Sequence, residues 1–215
     1  MRITAQELGA ERGGERIFSK ISFVLESGGC LLVTGPNGSG KSTLLQVICG
    51  LLPAFEGHVS MQPVSEKWPG LPAACHYLGH QNGLKPALSV EENLRFWRDF
   101  SGEPFLEIEE ALDEVGLNGL GHLPFQVLST GQRRRAAIAR LLVNWRPVWV
   151  LDEPTAGLDA RSEQRFAALM EAHREQGGMI VAATHWPLGL ENVQELVMAA
   201  TPPNGEGAAP TDCEC

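Results

Sequence analysis

The chain has 215 residues, a formal net charge of −9 at pH 7, and 43% hydrophobic and 20% charged residues. That length supports one well-packed α/β domain with room for a small insert. The acidic balance excludes a broad electrostatic grip on nucleic acid, and no stretch reaches the roughly 18 apolar residues that a membrane helix requires.

The start, MRITAQELGAERGGER, lacks the apolar core of an export signal, so a cytoplasmic protein is expected. Residues 2–8 and 17–25 read as short strands around a Gly13-Gly14 turn, with Ile17, Ile21, Phe23 and Leu25 in partial alternation. Cys30-Leu31-Leu32-Val33-Thr34 is a buried-strand pattern that runs straight into a glycine-rich loop. Residues 42–50 follow as a helix, with Leu44, Leu45, Val47 and Ile48 apolar and Gly50 and Pro53 closing it. Residues 57–61 predict another short strand.

From about residue 82 to 145 the pattern turns helical. Ser89 stands at capping-box spacing from Glu92. Pro104 opens a second helical stretch carrying Leu106, Ile108, Leu112 and Val115 and ended by Gly116, and a third spans about 130–143. Strands at 148–151 and 179–184 then flank a helix at about 160–176, and this spacing means a right-handed parallel crossover. The core sheet is expected to be parallel and the helical stretch an insert. Residues 1–200 read as one domain, and 201–215, TPPNGEGAAPTDCEC, as a disordered tail.

Gly35-Pro36-Asn37-Gly38-Ser39-Gly40-Lys41-Ser42-Thr43 lies between an apolar strand and a helix, the context in which this pattern binds phosphate. Its glycines let backbone N–H groups cradle a β-phosphate, and the helix adds its positive end. Lys41 reaches the β- and γ-phosphates, and the Ser42 hydroxyl is placed to ligate Mg²⁺. ATP and Mg²⁺ are the expected ligands. Asp152 and Glu153 end the apolar strand that begins at Val148. An aspartate in this place holds Mg²⁺ through water, and a carboxylate one residue further on can polarise an attacking water.

The remaining chemistry-bearing residues say less. Arg133-Arg134-Arg135 and Arg140 read either as positive field near bound phosphates or as a solvated, packing helix face. Of five cysteines, Cys30, Cys49 and Cys75 read as small core residues, and Cys213 and Cys215 as tail thiols without a ligand role. No zinc framework or c-type heme attachment string is present.

Leu128-Ser129-Thr130-Gly131-Gln132 resembles the signature motif of ATP-binding cassette (ABC) ATPases, and Thr155-Ala156-Gly157-Leu158-Asp159 resembles their D-loop. The resemblance covers about residues 2 to 198. It implies the P-loop cassette fold: α/β, with a mainly parallel core sheet, a small antiparallel N-terminal β subdomain and an inserted helical subdomain at about 82–145. It also implies that Glu153, His185 and Gln81 serve catalysis, with Gln81 joining Ser42 and Asp152 around Mg²⁺. Ser129, Gly131, Gln132 and Asp159 then face the ATP of a second copy. Many such subunits stack an aromatic residue on adenine. The matching position here is Arg12, whose guanidinium can also stack on a base, while Phe18 reads as core.

Gly79-His80-Gln81-Asn82-Gly83-Leu84-Lys85-Pro86 and the continuation through Asn93-Leu94 resemble the heme exporter ATP-binding subunits of the cytochrome c maturation system. So do Leu128 to Arg135 and Thr184-His185-Trp186-Pro187-Leu188. This implies an ATPase on the cytoplasmic face of a bacterial inner membrane, paired with a second copy and with integral membrane subunits, and not with nucleic acid. Another small-molecule cargo is the alternative within the transporter class. A soluble ABC protein acting on DNA or ribosomes is disfavoured by the short, acidic chain.

Overall fold

Gly13 and Gly14, both at positive φ, turn the chain between two long strands, β1 (Arg2–Arg12) and β2 (Glu15–Glu26). β3 (Cys30–Thr34), α1 (Lys41–Ile48) and β4 (Glu56–Gln62) follow, and the short α2 (Leu71–Ala74) leads into β5 (Cys75–Leu78). Three helices come next, α3 (Val90–Ser101), α4 (Ile108–Glu114) and α5 (Thr130–Leu142). β6 (Val148–Asp152), α6 (Ala160–Glu175), β7 (Met179–Ala183) and β8 (Gln194–Val197) complete the computed structural model, which describes residues 1–199.

The strands form two sheets. One is antiparallel in the order β2-β1-β4, and the other has the order β5-β6-β7-β3-β8 with every pairing parallel. Every residue of β6 and β7 is buried, as a parallel sheet covered on both faces demands. The period of two then sorts the core. Val148, Val150 and Val181 face α1 and the antiparallel sheet, with Leu44, Ile48, Ile3 and Leu25 in that cluster. Trp149, Leu151 and Ile180 face the helices, packed with Leu94, Ile138, Leu141 and Phe166.

Three local features differ from the sequence-based expectations. β5 and β8 carry no apolar run, CHYL and QELV, and are not predicted by pattern; both are edge strands of the parallel sheet. The second helical stretch starts at Ile108, not at Pro104. The Phe105 and Leu106 N–H groups donate to Val143 and Leu142 carbonyls at 3.0 and 3.1 Å, so this segment runs extended against the end of α5. β1 and β2 extend well past the expected 2–8 and 17–25, because bulges between Ala5 and Glu11 let the ladder continue to the glycine turn.

The predicted cap at Ser89 holds, and Ser129 makes a second one. Ser89 and Ser129 each accept from the N–H three residues on, while Glu92 and Gln132 reach back to the cap's own N–H. No helix among the described residues is long and apolar enough to cross a membrane. The expected tail at 201–215, with Cys213 and Cys215, lies outside the described residues.

Candidate functional site

After Thr34 the backbone turns through positive φ at Gly35, Gly38 and Gly40 before α1 begins at Lys41. Two of these positions exclude a side chain by contact as well as by conformation. A Cβ on Gly35 would lie 2.3 Å from the Met198 carbonyl oxygen, and one on Gly40 would lie 2.6 Å from Ile17 Cγ2. Lys41 Nζ donates to the carbonyls of Gly35 at 2.8 Å and Pro36 at 3.0 Å, so its ammonium lies over the loop. Ser39 Oγ is fully buried and has no hydrogen-bond partner among the described residues.

β6 delivers Asp152 and Glu153 beside the loop. Asp152 is buried, and after burial itself its charge is the main influence raising the neighbouring Tyr77 phenol above its ordinary value. Glu153 adopts a φ of 43°, a left-handed conformation that costs a non-glycine residue about 1–3 kcal/mol. Its N–H donates to the Ala183 carbonyl at 2.9 Å, which pins this turn to the end of β7. His185 follows β7. The Thr184 hydroxyl both accepts from the Trp186 N–H and donates to its carbonyl, fixing the turn that presents the imidazole. His185 Nε2 then lies 3.5 Å from Glu153 Oε1.

These groups share one cavity of about 350 Å³ at the carboxyl ends of β3, β6 and β7. Asn37, Gly38, Gly40, Lys41, Ser42, Thr43, Asp152, Glu153 and His185 line it, with Arg12 and Ile17 on the antiparallel-sheet side. Carboxyl ends of parallel strands are where open α/β sheets bind ligands. Phe18 is buried core.

Gln81, Ser129, Gly131, Gln132 and Asp159 do not line this cavity. Gln81 and Ser129 are exposed. The Ser129 hydroxyl accepts from the Gln132 N–H at 3.2 Å, and Gln132 Oε1 accepts from the Ser129 N–H at 2.9 Å, so the motif builds its own helix start. Gly131 packs so closely on the D-loop that a Cβ there would lie 3.1 Å from the Gly157 carbonyl oxygen. Asp159 caps α6 by accepting from the Ser162 N–H at 2.8 Å. That bond, with Arg135 and Arg161 nearby, holds its carboxyl below the usual carboxylate value.

The arginine cluster resolves into structure. All four side chains donate to backbone carbonyls: Arg133 to Gln126, Arg135 to Val115 and Gly116, and Arg140 to Tyr77. Arg134 donates to Gly79, Asp152, Glu153 and Pro154. Arg134 and Arg140 are buried, so the solvated-face reading fails for them and the packing reading holds. Sequence reasoning missed Arg134 as a contact to the site, and missed Tyr77 altogether.

A glycine loop with its lysine, a strand-end Asp-Glu pair and a histidine converging on one cavity define, with the separate serine-capped signature helix, an ATP-binding cassette. The profile of the ABC transporter family matches residues 18–156. The cytochrome c biogenesis ATP-binding export protein CcmA of Chelativorans sp. (strain BNC1) is 64% identical over 200 residues, spanning 93% of this chain and 99% of that protein. The CcmA of Mesorhizobium japonicum is 63% identical over 194 residues, spanning 90% and 96%. Among solved structures, the dimeric post-hydrolysis state of the cassette MJ0796 bound to ADP and Pi matches with a TM-score of 0.71 and 26% identity, over 86% of this chain and 88% of that one. The chain belongs to the ABC transporter family and, within it, to the CcmA cytochrome c biogenesis ATP-binding export proteins.

Proposed function

We propose that this chain is the ATP-hydrolysing subunit of a membrane complex that exports heme, or releases a heme-carrying chaperone, during c-type cytochrome biogenesis. The observation that carries it is the convergence of Lys41, Asp152, Glu153 and His185 on one cavity. The Gly35–Thr43 loop holds the triphosphate, and Lys41 exchanges its two carbonyl acceptors for β- and γ-phosphate oxygens. Arg12 stacks on the adenine. Ser42 and Asp152, which line the cavity, would hold Mg²⁺, the aspartate through water; Gln81, which stands outside the cavity, would have to move in to join them, and the ion would neutralise phosphate charge. Glu153 takes a proton from the attacking water as its oxygen bonds the γ-phosphorus and the bond to the bridging oxygen breaks. His185 donates to the transferred phosphoryl group.

A head-to-tail pair of copies completes each site. Ser129, Gly131, Gln132 and Asp159 lie away from their own chain's cavity, which supports their use on the ATP of the opposing copy. The dimeric form of MJ0796 supports pairing of two copies. The segment from Gly79 to Leu94, with its likeness to heme exporter subunits, supports docking on integral membrane subunits at the cytoplasmic face of the inner membrane.

Glu153→Gln tests the catalytic assignment. The variant is expected to bind ATP and dimerise while turnover falls by about 10²–10⁴, read by steady-state hydrolysis and by size-exclusion chromatography with nucleotide. Full activity of the variant, or of the unaltered chain as a dilute monomer, overturns the reading. Co-purification of a membrane subunit unrelated to heme maturation overturns the cargo.

A further inference from the structure

Arg134 lies on α5 one turn beyond the signature serine and points back into the chain's own site. Its side chain is buried and makes five hydrogen bonds. Nε donates to the Pro154 carbonyl at 3.0 Å. One terminal nitrogen donates to the Gly79 carbonyl at 2.9 Å and to Asn82 Oδ1 at 3.4 Å. The other donates to the carbonyls of Asp152 at 3.0 Å and Glu153 at 2.8 Å. The planar fork of a guanidinium reaches these diverging acceptors at once, and the point charge of a lysine does not.

The acceptors belong to two segments that the chemistry must keep in register. Gly79 and Asn82 flank Gln81 on the loop that leaves β5. Asp152, Glu153 and Pro154 form the turn that holds the general base, and Glu153 is the residue kept at a φ of 43°. A left-handed glutamate persists only where its surroundings over-determine it, and Arg134 supplies one such restraint on its carbonyl. The same helix begins at Ser129, whose carbonyl accepts the Arg133 N–H at 2.8 Å. A rigid helix turn therefore separates the group offered to a second copy's ATP from the group that grips this chain's own catalytic turn.

We infer that Arg134 is a positioning residue that couples the two half-sites of one chain, setting Glu153 and the Gln81 loop according to the placement of the signature helix. The inference rests on the cassette reading proposed above. It makes engagement of Ser129 with a partner's nucleotide a mechanical input to hydrolysis at the same chain's Lys41 site.

The test is Arg134→Lys in the full-length chain, alone and combined with Glu153→Gln. Turnover is read in single-turnover hydrolysis, and binding with a fluorescent ATP analogue. A misplaced general base predicts a fall of about 10- to 100-fold in turnover with nucleotide affinity held within about threefold. In the Glu153→Gln background the substitution should cause no further fall, because Arg134 acts through Glu153. Unchanged turnover, or the same fall in both backgrounds, overturns the inference.

Should Arg134→Lys fail to fold, hydrogen–deuterium exchange on the unaltered chain reads the same linkage. Saturating ATP should protect residues 79–82, 130–140 and 152–154 together, and a response of the first and last without the middle segment overturns it. Absence of both hydrolysis by the unaltered chain and ATP retention by Glu153→Gln would instead remove the cassette reading itself.

Discussion

The phosphate loop and the signature helix sit in one chain but differ in how finished they are. The helix start is locally complete: Ser129 and Gln132 satisfy each other's backbone N–H groups, and Gly131 rests against the D-loop. The loop is not. Among the described residues Ser39 Oγ has no partner and Lys41 Nζ bonds the loop's own carbonyls, and Glu153 holds a strained backbone. The first region is a preformed surface, and the second is a cavity lined by the loop, Lys41, Asp152, Glu153 and His185. In the proposed head-to-tail pair, the donors for one nucleotide lie on two molecules.

That division predicts complementation between dead variants. Lys41→Ala removes the ammonium that meets the phosphates, and Ser129→Arg blocks the surface offered to the partner, so each variant alone should lose nearly all turnover. Mixed in equal amounts, they form heterodimers in which the intact Lys41 of one chain meets the intact Ser129 of the other. With independent sites, roughly a quarter of the unaltered activity should return. A mixture as inactive as its components would place both regions on one nucleotide within one chain and erase the contrast.

Acid should act on the seam between the sheet and the helical side. His173 on α6 stacks 4.2 Å from Trp149 of β6, and His76 of β5 bonds the Asn144 carbonyl at 3.0 Å. Burial lowers both imidazoles, His76 to about 3 and His173 to about 4. The unfolded chain protonates these groups near pH 6.5, so it binds protons that the folded chain refuses. Their contribution is complete above pH 6.5, falls as pH drops below it, and levels off at about 3 to 4, where the folded groups protonate. At pH 5 each histidine should have withdrawn about 2 kcal/mol. Urea unfolding of His173→Leu should show a loss between pH 7 and 5 smaller by that amount, and an unchanged slope would remove His173 from the account.

The phosphate site was legible because its backbone demands particular residues. Positive φ with no room for a Cβ leaves only glycine at positions 35 and 40, and a strand-end Asp-Glu pair has few other uses beside Lys41. The Ser89 cap was legible for a similar reason, since Ser-x-x-Glu states its own hydrogen bonds. Edge strands carry no such demand. Cys75–Leu78 and Gln194–Val197 each pair on one side only and show no apolar run. Arg134 was illegible for a different reason: a charged residue in an arginine-rich helix reads as solvated, and only the fold brings four carbonyls around it.

Two matched caps sharpen the comparison at its smallest scale. Ser89 and Ser129 make the same capping box on α3 and α5. Alanine at either position should therefore lower stability by about 1 kcal/mol, measured as a matched drop in the midpoint of urea unfolding. In the proposed pair only Ser129 also offers its hydroxyl to another copy's phosphate, so only Ser129→Ala should slow hydrolysis beyond what the loss of stability explains. Equal turnover in the two variants would reduce the signature serine to a helix cap. A stability loss confined to one variant would show that the two boxes do not share their energetics in this chain.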